Sequence, residues 1–168
     1  KEALVKGYID GATPFFIACS KGHLEVVKYL ATKLEKEDLV KASNNGDTPF
    51  YVACQNWHFE IIKYLATELE KEDLIKANKD GETPFYIACL GGQLGVVKYL
   101  ANILEKEDLI KANRNGFTPF FIACLEGRLE VVKYLGNQLE KEDLVKADNN
   151  GATPFYAACQ QENLDVVR

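Results

Sequence analysis

The tract Thr13-Pro14-Phe15-Phe16-Ile17-Ala18-Cys19 limits what this chain can fold into, because it keeps returning. Thr-Pro-Phe recurs at Thr48, Thr83, Thr118 and Thr153, and an Ala-Cys pair closes each copy at Cys54, Cys89, Cys124 and Cys159. Every interval is 35 residues. A strict period of that length marks an array of one small supersecondary unit. Such a unit cannot bury its own apolar face, so neighbours stack and the core becomes a stripe along the stack. The apolar content of 47% is enough to supply that stripe.

The residues of one repeat read in order. Thr13 is placed to N-cap a helix whose first position is Pro14. Phe15, Ala18 and Cys19 then fall at i, i+3 and i+4 and make one apolar stripe. Lys21-Gly22 ends this first helix, with glycine free to take the left-handed C-cap conformation. A second helix follows, with Leu24, Val27, Leu30, Ala31 and Leu34 on one face and Glu25, Lys28 and Lys33 elsewhere. The charged stretch Glu35-Lys36-Glu37-Asp38-Leu39-Val40-Lys41-Ala42 leads into the turn Asn44-Asn45-Gly46. That turn repeats at Asp80-Gly81, Asn115-Gly116 and Asn150-Gly151.

Gly46-Asp47-Thr48-Pro49-Phe50, the Ala-Cys pair, and Gly22-His23-Leu24-Glu25-Val26-Val27-Lys28-Tyr29-Leu30 resemble the ankyrin repeat, whose pattern carries T-P-L-H-x-A. The resemblance covers essentially the whole chain. It implies an all-α, ankyrin-type repeat solenoid of stacked helix-turn-helix units joined by β-turn or hairpin loops. A single domain over residues 1–168 is expected. Residues 1–10 read as the tail of a preceding repeat, followed by repeats at about 11–45, 46–80, 81–115, 116–150 and a truncated 151–168. Lys1-Glu2-Ala3-Leu4-Val5-Lys6 aligns with Lys36–Lys41, and Val166-Val167-Arg168 stops in mid-helix, so the chain is read as cut from a longer array.

Three departures from the family pattern carry expectations. The period of 35 exceeds the family's by two residues, which predicts a longer second helix or an extra helical turn. The histidine of the family motif is replaced by Phe16, Tyr51, Tyr86, Phe121 and Tyr156, so its turn-steadying hydrogen bond is lost or remade by tyrosine hydroxyls. The inter-helix glycine becomes Trp57 and Glu162. A non-glycine in the left-handed region costs about 1–2 kcal/mol, which predicts that Asn56 or Asn163 takes that conformation instead.

The net charge of -5 is spread over interspersed acids and bases. A basic footprint for nucleic acid is therefore absent, and no nucleic-acid partner is expected. No apolar run approaches the roughly 20 residues needed to span a bilayer, and residues 1–30 lack a leader pattern. The five cysteines share one repeat position. Neighbouring positions should lie about 8–10 Å apart, too far for a disulfide, which needs Cα atoms within about 7 Å. Five buried free thiols are expected, and with them an intracellular, cytoplasmic or nuclear location.

No chemistry-bearing constellation emerges. His23 and His58 share one repeat position and read as structural, and Ser20 and Ser43, the only serines, have no phased His and Asp. No catalytic residue, metal site or cofactor is expected, and the chain reads as a monomer. The Glu-Lys-Glu-Asp stretches read as a solvated face with weak local ion pairs. The Tyr29, Tyr64, Tyr99 and Tyr134 column reads as packing between repeats.

The residues that vary against this constant frame are the candidates for binding a partner. The turn set is Tyr8, Ile9, Asp10, Asp47, Lys79, Asp80, Glu82, Arg114, Asn115, Phe117 and Asn149. The first-helix set is Ser20, Lys21, Gln55, Asn56, Leu90, Leu125, Glu126 and Gln160, with Trp57 beside it. In the family resembled, these sets line a concave face that grips partner proteins. Trp57, Leu90, Phe117 and Leu125 are large and apolar where polar residues would suffice, which favours an interaction site. The reading is a non-catalytic protein-binding module. Two others keep the fold: an engineered or selected binder, against which Gly95 and Gly136 in second helices weigh, and a targeting arm of a larger enzyme or effector.

Overall fold

The computed structural model describes residues 6–168; Lys1–Val5, and with them most of the stretch matching Lys36–Lys41, lie outside these. All regular structure among the described residues is helical, and it forms the expected ankyrin-type repeats. The fold divides into two compact units, Lys1–Lys79 and Asp80–Arg168. The first holds α1 (Pro14–Lys21), α2 (Leu24–Ala31), α3 (Lys36–Leu39), α4 (Pro49–Gln55), α5 (Phe59–Glu68) and α6 (Lys71–Leu74). The second holds α7 (Pro84–Gly91), α8 (Leu94–Ile103), α9 (Lys106–Leu109), α10 (Pro119–Leu125), α11 (Leu129–Gly136), α12 (Lys141–Leu144), α13 (Pro154–Gln160) and α14 (Leu164–Val167).

Each first helix begins as the Thr-Pro pair dictates. The threonine Oγ1 accepts from the backbone N–H three residues on, at 3.0 to 3.3 Å in all five repeats. Proline takes the first helical position, where its missing N–H costs nothing. In the first unit α1 packs on α4 and α2 on α5; in the second α7 packs on α10, α10 on α13, and α8 on α11. Phe15, Phe50, Phe85 and Phe120 are buried in this stripe together with the Ala-Cys pairs beside them.

The two additional residues per repeat produce an extra helical turn that is separate from the second helix. It is the Lys-Glu-Asp-Leu helix of α3, α6, α9 and α12. Leu39, Leu74 and Leu109 anchor the first three of these in the core. On the outside, Lys36 Nζ pairs with Glu70 at 3.1 Å and Lys106 with Glu140, so these pairs join successive repeats rather than staying local. The pairs Glu25–Lys28, Glu60–Lys63 and Glu130–Lys133 are local, one helical turn apart. All are exposed and contribute little. Tyr64, Tyr99 and Tyr134 are half-buried, whereas Tyr29 is exposed.

Two expectations are corrected. Trp57 and Glu162 themselves adopt the left-handed conformation, with φ of 64° and 58°. Asn56 and Asn163 stay at φ of -98° and -77°. The hydrogen bonds that close the first helix decide this. Trp57 N–H donates to Cys54 O and His58 N–H to Ala53 O, so the residue between helix end and cap must turn left whatever its side chain. The thiols are the second correction. Cys19, Cys54, Cys89 and Cys124 are free and buried, but Cys159 is exposed. α13 packs against α10, the helix that carries Cys124, and among the described residues no first helix of a further repeat follows α13. Burial pushes the Cys19 and Cys124 thiols up to about 12, and Cys54 and Cys89 also upward, so all four stay protonated at neutral pH.

A polar tie replaces the family's histidine bond. The buried Asn113 donates from Nδ2 to Tyr86 OH at 3.3 Å, while its Oδ1 accepts from the N–H groups of Asn115 and Phe117 at 3.0 Å. The tie joins a first helix to the turn that opens the next repeat. Its partners vary together within the chain. Tyr51 and Tyr86 are matched by Asn78 and Asn113, whereas Phe16 and Phe121 are matched by Ser43 and Asp148, which lack an amide donor. Asp148 keeps only the turn-closing half of the role, accepting from Asn150 and Ala152 N–H at 2.9 and 2.8 Å. Tyr86→Phe is therefore expected to strand the Asn113 amide and lower unfolding free energy by about 1–3 kcal/mol. Adding Asn113→Asp should recover much of the loss. Urea denaturation of the single and double variants measures both, and a double variant no more stable than Tyr86→Phe contradicts the pairing.

Candidate functional site

The surface that carries the candidate residues is built on a set of backbone bonds between turns. In the first unit Asn44 N–H donates to Asp10 O at 2.7 Å and Lys79 N–H to Asn45 O at 3.0 Å. In the second unit Arg114 N–H donates to Asp80 O at 2.9 Å and Asn149 N–H to Asn115 O at 3.1 Å. Side-chain amides reinforce them: Asn44 Nδ2 donates to Ile9 O at 2.9 Å and Asn149 Nδ2 to Arg114 O at 2.8 Å. Each turn is thus pinned to the one before through its main chain, while most of its side chains remain outside.

A second set of ties runs at the far end of the first helices. His58 Nε2 donates to Ser20 O at 2.9 Å in the first unit. In the second, Arg128 Nε donates to Leu90 O at 2.8 Å, and Asn163 Nδ2 to Leu125 O at 2.8 Å and Cys124 O at 3.2 Å. These residues share one repeat position and satisfy carbonyls that a helix end leaves without partners. They pass directly over the inter-helix glycine. A Cβ on Gly22, Gly92 or Gly127 would come within 2.7 Å of the capping side chain. Glycine is needed there for space as well as for its positive φ.

Within the first unit Tyr8, Ile9, Asp10, Lys21, Gln55, Asn56, Trp57 and Lys79 are exposed, and Ser20 and Asp47 are half-buried. Asn56 Nδ2 donates to Ser20 Oγ at 3.3 Å, and Asp47 Oδ1 accepts from Asn78 Nδ2 at 3.0 Å. Within the second unit Asp80, Arg114, Asn115, Glu126, Asn149 and Gln160 are exposed, and Glu82, Leu90, Phe117 and Leu125 are half-buried. None of the candidates is buried. Phe117 stacks on the buried Phe121, ring centroids 4.6 Å apart and 9° from parallel, so it also belongs to the core. Tyr86, beneath them, has its hydroxyl pushed above the usual range by burial first and then by the charges of Glu82 and Glu126. Those two carboxylates therefore sit near Tyr86 in this unit. No group of three or more His, Cys, Asp or Glu that could hold a metal ion occurs among the described residues.

The residues that sequence reasoning missed are Asn113, Arg128 and Asn163. Histidine at the capping position was legible as structural, but arginine and asparagine at the same phase were not. The shared signal is an N–H donor on a side chain of any shape. Arg128→Ala is expected to lower stability by about 1 kcal/mol, the worth of one such bond, whereas Arg128→Asn should hold most of it. Thermal unfolding of the two variants measures this, and equal losses would show that the donor is not what counts.

A family model for ankyrin repeats in three copies matches residues 2–74 and again 69–143. No curated protein matches the chain. The repeat period, the Thr-Pro caps, the paired helices and this match together place the chain in the ankyrin-repeat family.

Proposed function

We propose that this chain is a non-catalytic module that binds a partner protein through its turns and the exposed ends of its first helices. Ankyrin repeats are generally protein-interaction modules, and the family is typically non-catalytic. One observation carries the reading for this chain: the candidate residues on the turns and first-helix ends are all exposed or half-buried, and the turn backbones are tied to their neighbours. A surface ordered before contact loses little entropy on binding. The free, buried thiols support a reducing, intracellular setting. No helix among the described residues is long and apolar enough to cross a membrane.

Trp57 adds a second support. A non-glycine at φ 64° is strained, yet Trp57 is 51% exposed. Glu162 holds the same conformation at the equivalent position of the fifth repeat without such a ring, so it is the large half-exposed aromatic, not the strain, that supports a binding role. Partners are to be captured with the 168-residue chain as bait and their affinities measured. Leu125→Ala is expected to weaken binding by about tenfold or more, as for an interface anchor. Trp57→Gly should weaken binding while raising stability by about 1 kcal/mol through relief of the left-handed strain. Glu162→Gly, relieving the same strain, should stabilise without changing affinity. Normal binding by Leu125→Ala and Trp57→Gly, with loss on charge reversal at the outer Glu105 or Glu140, would show the face to be wrongly assigned.

A further inference from the structure

Three of the turns that open repeats carry asparagine followed by glycine, at Asn45-Gly46, Asn115-Gly116 and Asn150-Gly151. That pair has a chemistry of its own. The backbone nitrogen of the glycine attacks the side-chain carbonyl carbon of the asparagine, since glycine has no Cβ to crowd the approach. A C–N bond closes a cyclic succinimide, the bond from the same carbon to Nδ2 breaks, and Nδ2 leaves as ammonia with the proton of the glycine N–H. Water then opens the ring at either carbonyl. The product is aspartate, or isoaspartate with the main chain rerouted through the side chain. Only water is consumed, and Asn45 and Asn115 are both exposed to it.

The turns resist this reaction because the attacking nitrogen is engaged. Gly46 N–H donates to Ser43 O at 2.9 Å and Gly116 N–H to Asn113 O at 3.1 Å. An N–H held in that bond does not reach its neighbour's side chain, so the reaction waits for the turn to open. The two turns are not closed equally. Each is spanned by one backbone bond, Ser43 N–H to Asp47 O at 2.9 Å and Asn113 N–H to Phe117 O at 3.0 Å. Asn113 Oδ1 also holds the N–H groups of Asn115 and Phe117, and its amide is anchored on Tyr86. Ser43 Oγ takes the N–H of Asn45 at 3.2 Å, and the counterpart of Tyr86 in its repeat is Phe16, which has no hydroxyl. Asn45 Nδ2 reaches Asp47 Oδ2 at 3.4 Å, a long and exposed contact. We propose that Asn45 is a site of slow self-modification, converted to aspartate and isoaspartate through opening of its turn, while the Asn113 clamp shields Asn115. Aspartate fits the turn, since Asp80 stands at the same repeat position and its carbonyl accepts from Arg114 N–H. Isoaspartate does not. It adds a main-chain carbon at the residue whose carbonyl accepts from Lys79 N–H, so the pin to the next turn is lost and the change is one-way.

Incubation of the 168-residue chain at mildly alkaline pH, followed by peptide mapping for deamidated and isoaspartyl products, tests the proposal. The comparison lies between Asn45 and Asn115, each with a repeat on either side. In the native chain Asn45 should convert about threefold to tenfold faster than Asn115, the factor that one hydrogen bond makes in an opening equilibrium. In the urea-unfolded chain both should speed up and their rates should meet, because each precedes glycine. Tyr86→Phe, which loosens the Asn113 clamp, should speed Asn115 and leave Asn45 as the internal control. Ser43→Asp copies Asp148, whose Oδ1 holds Asn150 and Ala152 N–H with phenylalanine at the tyrosine position. It should keep parental circular dichroism and slow Asn45 by about threefold or more. Native rates that are equal, or faster at Asn115, overturn the proposal in the parent chain without any variant. So does an Asn45 rate that urea leaves unchanged, since turn opening would then not gate the reaction.

Discussion

Burial of the Phe-x-x-Ala-Cys stripe of each first helix against its neighbour is the interaction on which the rest of the structure depends. Phenylalanine fills the seam, and the small Ala and Cys let the helices approach closely. Removing one such ring from a core commonly costs about 3–5 kcal/mol. The second helices could not substitute for this contact. They bury only one face, and pack on their own first helix before they meet the next repeat. The Thr-Pro pair sets the helix start at the same point each time, so the stripe faces the same way in every repeat.

Stacking on an apolar stripe leaves backbone polar groups at both ends of the first helices, and the chain resolves them between repeats. Turn N–H groups go to the carbonyls of the preceding turn, and capping side chains go to the carbonyls of the preceding helix. Among the described residues no buried side-chain nitrogen or oxygen lacks a partner. Because the acceptors are main-chain carbonyls, the donors can change chemistry freely. His58, Arg128 and Asn163 do one job with three side chains. A frame held by its backbone can vary its outer side chains without losing order. That freedom suits a binding surface.

Trp57 and Glu162 mark where local preference gives way. The left-handed residue is chosen by two hydrogen bonds that close the first helix, and those bonds belong to the repeat geometry. A local penalty of about 1–2 kcal/mol is smaller than the cost of displacing a cap and re-registering the following helix. Asparagine next door, though better suited to the conformation, is held in place by its neighbours' bonds.

By itself the sequence determined the repeat, its period, the helix starts at threonine, the glycine stops and the phase of the buried stripe. All of these follow from contacts within a few residues or from a strict period, so they are written in spacing. It also marked a set of variable turn and helix-end positions as candidates, and none of those is buried. Only the tertiary structure decided which variable residues stand free and which are half-claimed by the core, as Phe117 is by Phe121. It alone revealed that Asn113 reaches back to Tyr86 and Arg128 to Leu90, partners 27 and 38 residues away. It also separated Cys159 from the other four thiols that share its repeat position. The reason is the same in each case. Spacing records what a repeat is, but burial and pairing depend on which neighbour lies across the seam, and that is settled only when the repeats stack.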